Sequence, residues 1–183
     1  MEDLRIQPLT PELIPDFTAL FGPQGACYGC WCTYFRLRPK ERQAMDGDGK
    51  REVMLDRIRR GPPPGLLAYS GAQPVGWMQI GPRADVPEWN NPGRVSTPLP
   101  DGPAGDPQVW AISCFFFHAR ARGHGLSHPM LAAGIAFARR NGARLLEAAP
   151  MDRAKQSKSV GLFVGSTSVF LKAGFRQSRR GAR

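Results

Sequence analysis

The spacing of apolar residues changes from a strand period to a helix period near the start of the chain. Polar and apolar positions alternate over residues 3–9, which is typical of a β-strand. A threonine–proline pair at residues 10–11 then forms a helix start, and an apolar stripe at helical spacing follows up to Gly22. The same spacing predicts a second helix over about residues 49–60, which the proline-rich run 61–65 ends.

The middle of the chain predicts a hairpin followed by a parallel β-α-β unit. Apolar residues 66–69 and 75–80 flank a tight turn, which is a hairpin signature. Val109–Phe117 is apolar on both faces, as in a central strand that is covered on each side. A helix that is apolar almost all round follows and ends near residues 141–142, and residues 144–149 form the next strand. Strands joined through a helix in this way run parallel, with a right-handed crossover.

A long segment at about residues 81–108 is rich in Pro, Gly, Asp and Asn and has no periodicity. We interpret it as a loop insertion within one domain that spans residues 1–183, a length that suits a single domain. The 21 glycines and 18 prolines are too few for a disordered chain. The order of the predicted elements indicates an α+β (mixed α/β) fold.

The chain carries a formal net charge of +10. Much of the excess lies in residues 36–60 and in a short basic C-terminal tail, residues 176–183. A field of this sign attracts polyanions, so nucleic acid, phosphorylated cofactors and acidic surfaces are all open as partners. The acidic start lacks the apolar stretch of a secretory signal, and no apolar run is long enough to cross a bilayer. We therefore expect a cytoplasmic protein that binds no membrane.

Three of the four cysteines, Cys27, Cys30 and Cys32, form a C-x-x-C-x-C pattern. Thiolates at this spacing can bind a soft metal, but a structural zinc site needs four ligands and the sequence offers no second ligand pair. We therefore expect no metal, with a redox pair as the alternative. Aromatic residues interleave the segment, so we interpret residues 28–35 first as the wall of a core or pocket.

A basic, glycine-containing turn separates the apolar strand from the helix that follows it. Its sequence is Arg122-Gly123-His124-Gly125-Leu126-Ser127. Main-chain N–H groups without partners converge at a helix start, the helix dipole favours negative charge there, and glycines let a phosphate approach the backbone. The pattern differs from the dinucleotide and nucleoside-triphosphate motifs, so it predicts another phosphate-containing ligand.

This turn resembles the acetyl-CoA signature Q/R-x-x-G-x-G/A of the GNAT superfamily of N-acetyltransferases. The resemblance covers most of the chain and includes Val75-Gly76-Trp77 in the hairpin and Gly174-Phe175 after the last helix. It implies a central mixed sheet of about six strands with a parallel β-α-β unit and flanking helices. It also implies that acetyl-CoA is the co-substrate.

Two registers fit the signature, one beginning at Arg120 and the other at Arg122. The register that begins at Arg122 starts the helix near Leu126 and keeps Pro129 in the first helical turn. The register that begins at Arg120 places this proline deeper in the helix, where an interior proline costs ~3 kcal/mol. In the second register, the resemblance implies two sets of main-chain contacts with coenzyme A. The diphosphate is held by Arg122, Gly123, His124, Gly125, Leu126 and Ser127, and the pantetheine arm pairs with Phe115, Phe116 and Phe117.

The chain departs from the superfamily's catalytic pattern at two positions. Ala111 stands where some members carry a glutamate on the fourth strand, and Phe170 stands where many carry a tyrosine. Glu147 on the next strand is therefore the candidate base, acting directly or through a water. The alternatives are that Glu147 faces solvent or pairs with Arg144, and that Cys114 is an acyl-accepting nucleophile.

The resemblance thus predicts an acetyl-CoA-dependent N-acetyltransferase that acts on a primary amine of a small molecule or peptide by direct attack in a ternary complex. We expect the acceptor between residues 28–35, Trp77 and the segment 81–107. Two other classes stay open: a CoA-binding sensor without turnover, and a nucleic-acid or ribosome-associated module, although no recognisable motif supports the latter. Because the superfamily has two strands after the Gly-Phe pair, either the last strand is absent here or a second chain supplies it in a homodimer.

Overall fold

Five strands form one mixed sheet in the order β1-β2-β3-β4-β5. The computed structural model describes residues 3–26, 29–90, 98–151 and 162–178. The strands are β1 (Leu4–Pro8), β2 (Gly65–Ser70), β3 (Gln73–Pro82), β4 (Val109–Phe117) and β5 (Leu145–Ala148). Neighbours from β1 to β4 are antiparallel, and β4 and β5 are parallel. The mixed sheet, the hairpin and the parallel unit are therefore confirmed, with five strands described against about six predicted.

Five α-helices flank the sheet in the described residues. They are α1 (Ile14–Phe21), α2 (Pro39–Ala44), α3 (Gly47–Arg60), α4 (Ser127–Arg140) and α5 (Thr167–Lys172). The sequence pattern missed α2 because this helix buries no residue and so has no apolar stripe. Its local signals were Pro39 at the first helical position and Glu41, whose carboxylate accepts from the main-chain N–H of Arg38 at 3.0 Å.

An irregularity in the pairing of β3 with β4 decides which β4 side chains face each side of the sheet. The register shifts by one residue at Ser113. Strict alternation would place Ile112 and Phe115 on opposite faces, but both lie in the apolar cluster that packs against α4. Cys114 lies instead in the cluster that packs against α1 and α3. The bulge therefore lets both halves of β4 bury apolar side chains on each face.

The helix α4 approaches the sheet closely because a glycine faces it. A Cβ atom at Gly134 would collide with the side chain of Met78 on β3, so any larger residue would displace that side chain. A glycine inside a helix costs about 1 kcal/mol relative to alanine. Burial of Met130 and Leu131 on the same helix offsets that cost and holds α4 against the sheet.

The start of the predicted insertion at 81–108 belongs to the core rather than to the surface. Two 3-10 turns occupy residues 83–90 after β3. Trp89 is buried there in an apolar cluster that includes Ala111 of β4. Residues 91–97 lie outside the described residues, as do residues 179–183 of the predicted basic tail.

Tyr69 links β2 to α1 through a partly buried hydrogen bond, which gives a testable contribution to stability. Its hydroxyl donates to Asp16 Oδ2 at 2.7 Å, and burial together with this bond raises the pKa of Tyr69 to about 12. At neutral pH, Tyr69→Phe is expected to lower the free energy of unfolding by about 1–2 kcal/mol, because a hydrogen bond to a charged acceptor is lost. Urea titration checks the value.

The stability difference between wild type and Tyr69→Phe should also depend on pH in the alkaline range. The pKa of Tyr69 is higher in the folded state than its ordinary value of 10, so the stabilisation is complete below pH 10 and is lost as the pH rises towards 12. The difference between wild type and Tyr69→Phe should therefore shrink over that range. In an Asp16→Ala background, Tyr69→Phe should cost little, and an equal cost there would contradict the assignment.

Candidate active site

The main-chain edge of β4 that faces β5 is only partly used. β5 pairs with β4 over Val109–Ile112, while β4 continues to Phe117 and stays paired with β3 on its other edge. Residues 113–117 therefore have no strand partner on the β5 side within the described part of the chain. Free N–H and C=O groups on such an edge can pair with another extended molecule.

The loop between β4 and α4 begins where this free edge ends. His118 donates its main-chain N–H to Val75 O at 3.0 Å, which ties the loop to β3. Ala121 and Leu126 are buried and fix the loop at both ends. Arg122 Nε donates to Phe117 O at 2.9 Å, so a guanidinium lies at the end of β4.

Main-chain N–H groups in this loop form a patch without internal partners. Arg122 N–H donates to Ala119 O, and His128 N–H donates to Gly125 O. Within the described residues, no hydrogen bond satisfies the N–H groups of residues 123–127, which lie between them. The helix α4 begins at Ser127, so its dipole adds positive potential at this place.

The loop geometry leaves room for an anion to reach the backbone. Gly123 and Gly125 have φ values of +84° and +73°, a region that favours glycine. A Cβ atom built on either glycine would meet no heavy atom within 4 Å. Pro129 is the third residue of α4, as the second register of the signature requires. These features fit a diphosphate held by main-chain amides.

On the opposite face of the sheet, a line of buried polar groups runs from the β4 bulge towards α3. Gln79 Nε2 donates to Ser113 Oγ at 2.8 Å. Arg36 Nε donates to Gln79 Oε1 at 3.4 Å, and Arg36 Nη1 donates to Asp85 O at 2.9 Å. Burial, partly offset by Asp85, lowers the pKa of Arg36 to about 10, so this guanidinium stays charged at neutral pH.

This polar line ends at a small cavity with a cationic lining. The cavity has a volume of about 250 Å³ and is lined by Arg36, Leu37, Val53, Arg57, Arg60, Ala84 and Asp85. Arg57 forms an ion pair with Asp85, so one carboxylate faces three guanidinium groups. In the sequence, these arginines counted only toward the net positive charge. Their positions were not predicted: the side chains of Arg36 and Arg57 are buried, whereas Arg60 is exposed. The signal available was Gln79, a polar residue in an otherwise apolar stretch of β3.

Glu147, the candidate base, lies in a buried ion pair. It is opposite Ala111 in the register of β4 and β5, so it occupies the same part of the sheet as the position where the superfamily's glutamate was expected. Its carboxylate pairs with Arg83, whose side chain is 1% exposed, and burial lowers the pKa of Arg83. The alternative pairing with Arg144 is wrong, because Arg144 binds Asp106 with Nη2 and Oδ2 at 2.6 Å.

The aromatic residues expected to form a substrate pocket lie mainly in the core. Trp31, Phe35 and Trp77 are 1%, 3% and 0% exposed, so the expectation that Trp77 lines an open acceptor pocket is wrong. Tyr34 is partly exposed, and its ring lies 4.2 Å from the guanidinium carbon of Arg42. Phe170 occupies the place of the superfamily's tyrosine, with its ring 6.1 Å from Phe115 and no hydroxyl to offer.

The cysteines divide into a buried pair and two further residues. Cys32 and Cys114 lie in the core with their Sγ atoms 3.1 Å apart. Hydrogen bonding to Cys32 and burial raise the pKa of Cys114, which disfavours the nucleophile alternative because the thiolate is the reactive form. Cys30 is partly buried, and Cys27 lies outside the described residues.

In the part of the chain that the structure describes, no group of three or more His, Cys, Asp or Glu side chains is arranged to hold a metal ion. None of the helices there has both the length and the apolar character needed to cross a membrane.

Comparison with known proteins identifies a matching protein family. The model of the acetyltransferase (GNAT) family matches residues 31–163. No curated protein matches the chain by sequence. Among solved structures, the fold is similar to an N-acetyltransferase from Staphylococcus aureus Mu50, with a TM-score of 0.56 and 16% identity over 97% of this chain and 86% of that one.

Two aminoglycoside acetyltransferases also share the fold. The 6'-N-acetyltransferase AAC(6')-Ih from Acinetobacter baumannii has a TM-score of 0.54 and 14% identity over 99% of this chain and 96% of that one. AAC(6')-Iy, solved with a bisubstrate analogue of CoA and acetylneamine, has a TM-score of 0.53 and 12% identity over 98% of this chain and 95% of that one. The family match spans most of the sequence and agrees with the sheet, the open β4 edge and the amide loop. The chain therefore belongs to the GNAT family of acetyltransferases.

Proposed function

We propose that the protein transfers an acetyl group from acetyl-CoA to a primary amine of a small molecule or peptide by direct attack in a ternary complex. The observation that carries this proposal is the continuity of the free β4 edge, residues 113–117, with the unpaired amides of residues 123–127. Membership of the family supports acetyl-CoA as the co-substrate. An edge of five residues spans about 16 Å, which suits an extended arm that carries amide groups.

The proposed contacts follow from this arrangement. Main-chain amides of residues 123–127 hold the diphosphate, helped by the α4 dipole and by the exposed guanidinium of Arg122. The expected contact from the Arg122 amide is not kept, because that N–H donates to Ala119 O. Phe115, Phe116 and Phe117 pair through their main chain with the pantetheine arm. The thioester is then expected near the bulge at Ser113, where a main-chain N–H of the free β4 edge would stabilise the oxyanion that forms when the amine attacks.

The acceptor is proposed to enter from the face that carries Arg36, Gln79 and Ser113. A neutral amine attacks the thioester carbonyl, a proton leaves the amine, and the thiolate of coenzyme A departs. The cationic cavity and the net charge of +10 disfavour polycationic acceptors such as aminoglycosides and polyamines. Amines that carry a carboxylate, including amino acids and acidic peptides, are the acceptors that this charge distribution favours.

The first test is turnover of acetyl-CoA against a panel of amines. We expect coenzyme A release together with an N-acetylated product for at least one acceptor, with acidic amines ahead of polyamines. Detection of the free thiol and mass analysis of the product check both parts. Binding of coenzyme A without product from any amine would favour the sensor, and salt-dependent binding of RNA without affinity for coenzyme A would favour the nucleic-acid module.

The second test asks whether coenzyme A binding depends on the amide loop or falls whenever a glycine is replaced. Gly123→Trp is expected to weaken coenzyme A binding at least about tenfold, or about 1.4 kcal/mol, because the indole fills the space above the amides. Gly142→Trp is the matched control, since Gly142 follows α4 at its other end with φ of +81° and equally open surroundings. Calorimetry with coenzyme A checks both variants. Equal losses in the two variants would contradict the proposed site.

The third test concerns Glu147 as the proton acceptor. Glu147→Gln is expected to lower kcat about 100-fold and to change the dependence of kcat on pH, since the group that accepts the proton is gone. The ion pair with Arg83 offers a purely structural explanation of any loss. That explanation predicts lower thermal stability with an unchanged pH profile, and this result would remove Glu147 from the chemistry. Asp106→Asn, which breaks the exposed pair with Arg144, is the matched control.

A further inference from the structure

Cys32 and Cys114 are far apart in the sequence and adjacent in the core. Their Sγ atoms lie 3.1 Å apart, and the two residues are 2% and 8% exposed. Both are free thiols. A disulfide needs its sulfurs about 2.05 Å apart, so a movement of about 1 Å closes the bond. Neither thiol has a part in the acetyl transfer proposed above.

The backbone at Cys32 is held in an unfavourable conformation. Its φ of +59° lies in the left-handed region, which is uncommon for residues other than glycine. Such a conformation is energetically unfavourable and persists where the surroundings enforce it. Here the segment is anchored by the buried residues Trp31 and Thr33 on either side. The strained position directs the Cys32 sulfur towards β4.

The surroundings of the pair suggest an order of attack. The two sulfurs share one hydrogen bond, in which either can be the donor. Hydrogen bonding to Cys32 and burial raise the pKa of Cys114, which disfavours its thiolate. The first attack is therefore assigned to Cys32, and Cys114 then acts as the resolving thiol.

We propose that Cys32 and Cys114 form a reversible disulfide when the protein meets a hydroperoxide. The Cys32 thiolate attacks one peroxide oxygen, the O–O bond breaks, and the other oxygen takes up a proton and leaves as an alcohol or water. The resulting sulfenic acid is attacked by the Cys114 sulfur, the S–O bond breaks, and hydroxide leaves as water with the proton of Cys114. The two thiols lose two electrons, which reduce the peroxide.

The bond would connect the segment after α1 directly to the bulge of β4. The same segment carries Arg36, which reaches Ser113 through Gln79. A covalent link between Cys32 and Cys114 restricts this polar line, so oxidation is expected to lower acetyl transfer. This consequence rests on the proposed function, whereas formation of the bond does not.

The test treats the full chain with hydrogen peroxide and then measures thiols and mass. We expect two of the four thiols to disappear, with a loss of about 2 Da that dithiothreitol reverses. A tryptic digest under non-reducing conditions should link residues 6–36 to residues 95–120. Because the first peptide contains Cys27, Cys30 and Cys32, variants assign the partner: Cys32→Ala should abolish the link, and the matched control Cys30→Ala should keep it.

The outcomes separate this proposal from the proposed function. Retention of all four thiols in the treated protein, or a link that persists in Cys32→Ala, would overturn the disulfide. If the link forms and the transferase is active, turnover should fall on oxidation in the wild type and stay unchanged in Cys114→Ala. If the protein forms the link but shows no acetyl transfer, the proposed transferase activity is contradicted and the proposed disulfide is not.

Discussion

The unequal lengths of two parallel neighbours, β4 and β5, are the constraint on which the rest of the molecule depends. β4 is buried and needs partners for its main-chain groups, because an unpaired buried N–H or C=O is costly. β5 supplies them only as far as Ile112, while β3 continues along the other edge to Phe117. The unpaired part of the β4 edge, residues 113–117, is followed directly by a loop whose amides are also without partners in the described residues. An extended ligand with an anionic end would satisfy both requirements at once.

The packing of the sheet separates the two reactants that the proposed reaction brings together. α4 packs tightly on one face through Gly134, and its N-terminus presents the amide loop. The other face carries the buried polar line from Ser113 to Arg36, which is tolerated because each member has a hydrogen-bond partner. The bulge at Ser113 stands between these faces. A reactive carbonyl near the bulge is therefore within reach of an amine that enters from the second face.

Local patterns predicted much of the fold, because the apolar run of β4 and the apolar helix after it are each set within a few residues. The resemblance to the GNAT superfamily selected the residues of the amide loop, and the position of Pro129 chose between its two registers. The pairings of buried polar groups could not be predicted in this way. Gln79 and Ser113 are 34 positions apart, Arg36 and Gln79 are 43 apart, and the apolar pattern does not say which polar groups meet. α2 was missed for a different reason, since a helix that buries no residue needs no apolar stripe.

Hydrogen exchange with and without coenzyme A tests the central claim most directly. If the free edge and the loop form one site, coenzyme A should slow exchange at amides within residues 113–117 and 123–127. Exchange in β1 and β2, which lie at the far side of the sheet, should stay the same. Bound coenzyme A that protects neither of the two segments would contradict the account.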